Sequence, residues 1–427
     1  MKKKLLVILG AGSSIPMGMP SLVALDEKMK EWGQAWARCR SACFPNYFDS
    51  LWQSAEAYIG HGDTSLRPPL NFEKVLGDMV ALSHWMTPVP WGDSLRQVAS
   101  GGASPPHLAF PPGPYGATVA VMDQVQYLLI ELARHMRTLC CRFDSATAAA
   151  RQYAALIGGL RGVFDVGLYN LNYDTAALSA CPDAYTGFDK TGAFEPSGIH
   201  QRPDWDFVYH LHGSVHHSLV GQFGDQVCWR RDLTGDFFDG HQGLSTDKRS
   251  EGRSFPRTTL IAGGFKLDQL LVEPFHSLHA ALVRHIYAAD AVLIGGYGFG
   301  DVHVNRALRN RLTMTSARPP VIVLDFARDK TDPMAFRNDL WAKDLCQTLG
   351  TNGNFFCEPG HTSPPIPSEL AAADAFEVAA PLRVALWCGG FVRAETRLDG
   401  IVPWLNGEAD HVLIPDSGRR DDPHRGA

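Results

Sequence analysis

No Cys-x-x-Cys pair occurs in this 427-residue chain, whose nine cysteines stand scattered as Cys39, Cys43, Cys140, Cys141, Cys181, Cys228, Cys346, Cys357 and Cys388. That spacing argues against a zinc module ligated by paired cysteines, and the odd count supports no disulfide framework. Each thiol is expected as a small buried hydrophobe in a reducing compartment. Long apolar runs are missing as well, so no membrane span is expected. Met1 to Lys4 is basic, as a secretory leader would be, but the apolar stretch Leu5 to Leu9 stops at a glycine turn, and a cytoplasmic protein is expected. A formal net charge of only −6 argues against a nucleic-acid-binding surface spread over the protein. No Walker-type Gly-x-x-x-x-Gly-Lys-Ser/Thr is found, which removes a P-loop nucleotide site.

What the chain does have is 45% apolar and 20% charged residues over its whole length. That is enough to bury a substantial core and to build more than one substructure. The apolar run Leu5 to Leu9 breaks into Gly10-Ala11-Gly12-Ser13-Ser14 and then Met17-Gly18-Met19-Pro20-Ser21. A strand feeding a glycine-rich turn and then a helix is expected to aim backbone N–H groups and a positive dipole end at a bound pyrophosphate. The spacing departs from Gly-x-Gly-x-x-Gly, because Ile15 stands where the third glycine belongs, so an ordinary dehydrogenase is not indicated.

Three more apolar runs end in polar or glycine-rich residues. Asp165 to Leu171 closes in Asn172-Tyr173-Asp174, and Val208 to Leu211 closes in His212-Gly213-Ser214. Ala291 to Ile294 closes in Gly295-Gly296-Tyr297-Gly298-Phe299-Gly300-Asp301-Val302-His303-Val304-Asn305. In an open parallel sheet, ligands sit outside the carboxyl ends of the strands, so these endings are expected to converge on one crevice. The fold class expected is α/β, a Rossmann-like parallel sheet.

Gly-Ala-Gly-x-Ser, Asn-x-Asp, His-Gly and a glycine-rich strand end, in that order, resemble the sirtuin-like superfamily (silent information regulator fold). The resemblance covers Lys4 to Pro20 and about Asp165 to Asp325. The variants Asn-Tyr-Asp, Leu-His-Gly-Ser and Gly-Tyr-Gly-Phe-Gly-Asp-x-His-x-Asn look like the bacterial defence-associated branch, whose members hydrolyse NAD during phage infection. Sirtuin deacylases carry two zinc-binding Cys-x-x-Cys pairs, and their absence here counts against a protein deacylase. The resemblance implies an NAD hydrolase that takes NAD as substrate and releases nicotinamide and ADP-ribose. It also implies a homo-oligomer and, for a subunit of this length, a HerA-type hexameric ATPase as partner.

The residues expected to do the chemistry follow. Nicotinamide leaves NAD as a neutral base, so the reaction needs help with the ribosyl cation and with the nucleophile that captures it. Asn172 offers an amide able to hold a ribose hydroxyl or the attacking water. Asp174 would orient the base or stabilise positive charge, or else cap the helix that starts near Thr175. An imidazole titrates near neutrality, which suits His212 or His210 as general base. Residues two apart share a strand face, so periodicity does not separate them; the Gly-Ser after His212 matches the family's His-Gly and selects His212. His210, His212, His216 and His217 together lack His-Glu-x-x-His spacing, and no metal is expected.

Cofactor contacts are expected from Gly10, Ala11, Gly12, Ser13, Ser14 and Pro20 at the first strand end and Gly213 at the third. Gly296, Tyr297, Gly298, Asp301, His303 and Asn305 join them at the fourth, where sirtuins carry Gly-Thr-Ser; a hydroxyl is missing at Gly298. Asp301 would also cap the helix expected to Leu312. Asp325, closing a strand from Pro320, would accept the adenosine ribose hydroxyls.

Residues 1–20 and 151–327 therefore read as the nucleotide-binding core. Residues 21–150 read as a helical insertion that carries a Pro-rich loop and a long helix from Ala117 to Cys141, with Val121, Val125, Leu128, Leu132 and Met136 in one stripe. Residues 328–427 are a C-terminal region, with a strand expected at Val384 to Trp387 and an assembly surface as its modest reading.

Overall fold

The structure, a computed structural model, describes residues 2–39, 45–59, 70–86, 116–222, 224–234, 241–248, 254–263, 266–314, 317–326, 340–351 and 367–408. Most of the Pro-rich loop and the charged tail after residue 408 lie outside the described residues.

Seven strands form the main sheet: β1 (Lys4–Leu9), β2 (Asp165–Asn170), β3 (Phe207–His210), β8 (Ala291–Gly295), β9 (Val321–Leu324), β10 (Phe376–Ala379) and β11 (Val384–Trp387). Their order is β10-β11-β9-β8-β1-β2-β3, and every pairing is parallel except that of β10 with β11. The expected Rossmann-like α/β fold is present. The C-terminal region, set apart in the sequence, contributes β10 and β11 to this same sheet. Two hairpins, β4 (His217–Val220) with β5 (Gln226–Trp229) and β6 (Thr246–Lys248) with β7 (Ser254–Pro256), are additions that the sequence reading did not contain.

The strands read as unbroken apolar runs because both faces of the sheet are covered. Leu6 and Ile8 of β1 face α9 (Phe275–Ala288) and α10 (Val302–Met314), while Leu5, Val7 and Leu9 face α5 (Ala148–Val163) and α13 (Leu398–Leu405). Thr147 starts α5 by accepting from the Ala150 N–H, which satisfies one of the open donors of the first turn.

From β1 the chain builds outward to β2 and β3, then returns to β8 on the other side of β1 and continues to β9. The crevice where the order reverses is where open α/β sheets bind ligands. Over it sit the insertion helices α1 (Leu22–Cys39), α2 (Tyr47–Ile59), α3 (Phe72–Met86) and α4 (Gly116–Cys141). They share a core of their own, built around Met29, Phe48, Leu76 and the stripe Val121, Val125, Leu128, Leu132 and Met136. Tyr173, Val215 and Leu260, from loops at the strand ends, pack into that core and dock the insertion above the sheet.

Candidate active site

A cavity of about 630 Å³ opens at the carboxyl ends of the strands, within the usual range for small-molecule sites. Gly10, Ala11, Gly12, Ser14 and Pro20 line it from the first strand end, Asn172 and Asp174 from the second, and His212 from the third. Gly296, Tyr297, Gly298 and Asp301 come from the fourth, and Asp325 from the fifth. Ser13, Gly213, His303 and Asn305 are not on its wall. Ser13 is fully buried and donates to the Gly10 carbonyl at 2.7 Å. Gly213 has φ +89 and lies against the backbone at Thr259, so it shapes the turn that presents His212. Asn305 braces the glycine-rich turn, accepting from Tyr297 Oη at 2.8 Å and donating to the Phe299 carbonyl at 2.6 Å.

After β1 come two short 3-10 turns, Ala11–Ser13 and Ile15–Met17, and the α-helix starts only at Leu22. The Gly10 and Gly12 N–H groups donate to the Gly295 and Gly296 carbonyls at 2.9 Å each, while those of Ser13 and Ser14 donate to Gly10 and Ala11. The first pair of donors is thus taken up by the neighbouring turn and the second pair by the first turn itself. The glycines are needed for that approach: a Cβ on Gly296, whose φ is +56, would stand 2.1 Å from the Ser13 nitrogen. A helix N-terminus does reach the cavity, but it is that of α1, where Ser21 Oγ accepts from the Ala24 N–H and Leu22 lines the wall.

The Asn172 amide is oriented by its donors, since Nδ2 reaches the Gly10 carbonyl at 2.9 Å and the Ser13 and Ser14 hydroxyls at 3.3 Å each. Oδ1 is the end of the amide left for a ligand. Asp174 is buried, and its Oδ1 accepts from the Ala176 N–H at 2.9 Å, so it does close the turn into the short helix Ala176–Ala180. Burial raises its pKa, opposed by hydrogen bonds from Ser14 and the Ala176 backbone.

The two candidate bases separate in the structure. β3 ends at His210, whose Nε2 approaches the Asp174 carbonyl at 3.3 Å, and only His212 lines the cavity. His216 stacks on Trp229 with ring centroids 4.7 Å apart, and His217 is buried. His212 is 4% exposed; its ring bonds the Leu171 backbone, while Nε2 has no hydrogen-bond partner among the described residues and stands 3.6 Å from Asp301 Oδ1. Burial lowers its pKa to about 3 against the pull of Asp301, with Lys266 and His303 adding to the depression. The imidazole is therefore neutral near pH 7, with a free lone pair on Nε2.

Asp301, expected as a cofactor contact and a helix cap, lines the cavity and turns its carboxylate to His212 and to Lys266, whose Nζ lies 3.4 Å away. Burial works to raise the Asp301 pKa and is outweighed by His212, Lys266 and His303, which hold it below the ordinary carboxylate range. Lys266 also meets Glu73 Oε2 at 2.9 Å. Burial would lower the lysine pKa; Asp301 and Glu73 instead raise it, so the ammonium stays charged. Two carboxylates to one ammonium give the trio of Glu73, Lys266 and Asp301 one excess negative charge, and Lys74, next to Glu73, also lines the cavity. Asn71 positions Glu73 by capping α3, its Oδ1 accepting from the Lys74 N–H at 3.1 Å.

Sequence reasoning missed Glu73 and Lys266, and also Phe326 and Trp341, which line the cavity near Asp325. Of these only Phe326, next to Asp325, carried a local signal.

Strand-end cavity, carboxamide and buried imidazole together make a candidate site in an α/β protein. Residues 167–348 match the family model of the SIR2-like domain. Among solved structures, a mutant Sir2 homologue in complex with 2'-O-acetyl ADP ribose is 13% identical over 75% of this chain and 80% of its own, with a TM-score of 0.30. A Sir2 homolog–NAD complex is 12% identical over 76% and 78%, also at 0.30. No curated protein matches the chain.

Proposed function

We propose that the chain is an NAD hydrolase that cleaves the nicotinamide N-glycosidic bond to give nicotinamide and ADP-ribose. One observation carries this reading: Asn172 and His212, on the tips of neighbouring parallel strands, face the same cavity beside a wall that carries the Glu73, Lys266 and Asp301 trio. The nicotinamide ring is cationic and the ribosyl group gains positive charge as the bond breaks, so that wall stabilises both. Asn172 Oδ1 holds the ribose hydroxyl or the attacking water. His212 Nε2 takes the proton from that water, and the imidazolium formed is then paired with Asp301. Water adds to the anomeric carbon, nicotinamide leaves with the bonding electron pair, and no acid is needed for it. The N-terminal turn of α1 is the seat for the pyrophosphate. Asp325 is the partner of the adenosine ribose.

The SIR2-like match and the defence-type motifs support the wider role: an anti-phage effector that depletes NAD, acting as an oligomer with a HerA-type ATPase. In the test, purified protein is given NAD, with and without that ATPase, and products are separated by chromatography. Nicotinamide and ADP-ribose should appear in equal amounts with no acyl-lysine peptide present. His212→Ala should slow release about 100-fold or more. Release that requires an acylated peptide and transfers its acyl group would replace the reading with a protein deacylase. NAD binding without turnover in either setting would make the chain a nucleotide-sensing scaffold.

A further inference from the structure

The buried nitrogens around Asp301 have a property that hydrolysis does not use. His212 Nε2 and His303 Nε2 are both buried without a hydrogen-bond partner, and the two rings stand 5.9 Å apart between centroids. A ring nitrogen from each and a carboxylate oxygen of Asp301 all lie within 4.8 Å of one another. Electron-rich atoms this close, with no other partner among the described residues for the two Nε2 atoms, repel unless a proton or a cation stands between them. His212 comes from the turn after β3, and Asp301 and His303 from the start of α10. The donor set is therefore made by the fold, and the histidine run in the sequence does not contain it.

We propose that His212, Asp301 and His303 bind a divalent transition metal of the zinc class, and that the bound metal holds the hydrolase inactive. Two imidazoles and one carboxylate suit such an ion, and His212 and Asp301 leave its remaining positions facing the cavity. The Lys266 ammonium, 3.4 Å from Asp301, opposes a cation there. Glu73 shares that ammonium at 2.9 Å, and the trio's excess negative charge remains to attract the metal. Metal and ammonium thus compete for Asp301, so binding is weakened by Lys266 and is reversible. A metal on Nε2 occupies the lone pair that would accept the proton. Binding does not depend on the NAD hydrolase reading, but the inhibition does.

The test titrates Co²⁺, then Zn²⁺, into chelator-treated full-length protein and follows heat and the cobalt visible spectrum. One ion per chain, with a spectrum of nitrogen and oxygen ligands, is expected. His303→Ala should weaken binding by more than the roughly 10–100-fold that loss of an outer-shell partner costs. Lys266→Gln should tighten it, while His216→Ala, in the separate histidine cluster, should leave it unchanged. Thermal unfolding of each variant checks that the fold persists. No binding to the wild type, a thiolate spectrum, or binding indifferent to His303→Ala would overturn the site. Zinc should suppress nicotinamide release and EDTA should restore it; binding without suppression would overturn the switch. Metal binding by a protein that never hydrolyses NAD would leave the site standing and remove the proposed function instead.

Discussion

Two carboxyl groups that line one cavity meet opposite fates. Asp301, on the insertion side, stays ionised because Lys266 and His212 stand beside it, and its pKa is held below the ordinary range although burial works to raise it. Asp325, at the end of β9, has aromatic neighbours in Phe326 and Trp341, and burial pushes its pKa up to about 7 against hydrogen bonds from the Phe326 backbone and the Trp341 side chain. Burial acts on both; a nearby cation decides which one keeps its charge. The cavity wall thus holds one carboxylate that stays ionised and one carboxyl whose charge burial suppresses; under the proposed function the first faces the cationic ring and the ribosyl cation, and the second the adenosine.

The largest effect should come from taking away that cation. Lys266→Met leaves Glu73 and Asp301 facing each other with no ammonium between them, and loss of one partner from a buried ion pair costs about 3–5 kcal/mol. Urea unfolding should show a loss of that size. Adding Glu73→Gln and Asp301→Asn should recover most of it. A loss under about 1 kcal/mol would mean that solvent screens the wall as it does a surface pair, and the contrast between the two carboxyl groups would shrink accordingly.

The strand-end parts of the site were the legible ones, Asp174, Asp301 and Asp325 among them. Apolar runs that end in Gly10, Asn172, His212 and Gly296 could be read locally, and parallel register then aligned them, with Leu9 opposite both Asn170 and Gly295. The direction of the N–H groups was not legible, because the carbonyls that take the Gly10 and Gly12 donors belong to a turn far along the chain. The ammonium was hidden for the same reason: Lys266 gains meaning only when α3 brings Glu73 over the sheet, and no periodicity in either segment records that meeting. For Asp301 the strand-end contact and the cap could be read because both are local, whereas its partners His212 and Lys266 are not.

A second test exploits the raised pKa of Asp325. Below about pH 4 the carboxyl is protonated in both folded and unfolded chains. From about pH 4 to about pH 7 the unfolded chain loses the proton first, so the native state gives up stability as the pH rises, by at most about 1.4 kcal/mol per unit. Partial solvent access reduces this to about 1–2 kcal/mol in all. Asp325→Asn removes the titration, so its stability relative to wild type should improve between about pH 5 and about pH 7 in urea unfolding without ligand. A constant gap would show that the two carboxyl groups do not differ as described. NAD should have the reverse preference: if the carboxylate accepts the ribose hydroxyls, wild-type affinity rises through about pH 7, and Asp325→Asn should lose that rise.

The smallest effect is expected on the glycine-rich turn. At Gly296 a Cβ would strike the Ser13 nitrogen, but at Gly298 a Cβ meets nothing within 4 Å and the backbone needs no left-handed φ. The two glycines therefore do different work: the first lets two turns interlock, and the second leaves open space in the cavity wall. Gly298→Ser should change stability by no more than about 0.5 kcal/mol, as substitutions away from packed or strained positions do. It also restores a hydroxyl at the position where sirtuins carry Gly-Thr-Ser. With a phosphate in reach, that hydroxyl should lower the KM for NAD by up to about ten-fold, the worth of one hydrogen bond. An unchanged KM would place the phosphates away from this turn, nearer the start of α1. A raised KM with normal stability would mean that the dinucleotide itself fills the space above Gly298, and that glycine is there to let it approach.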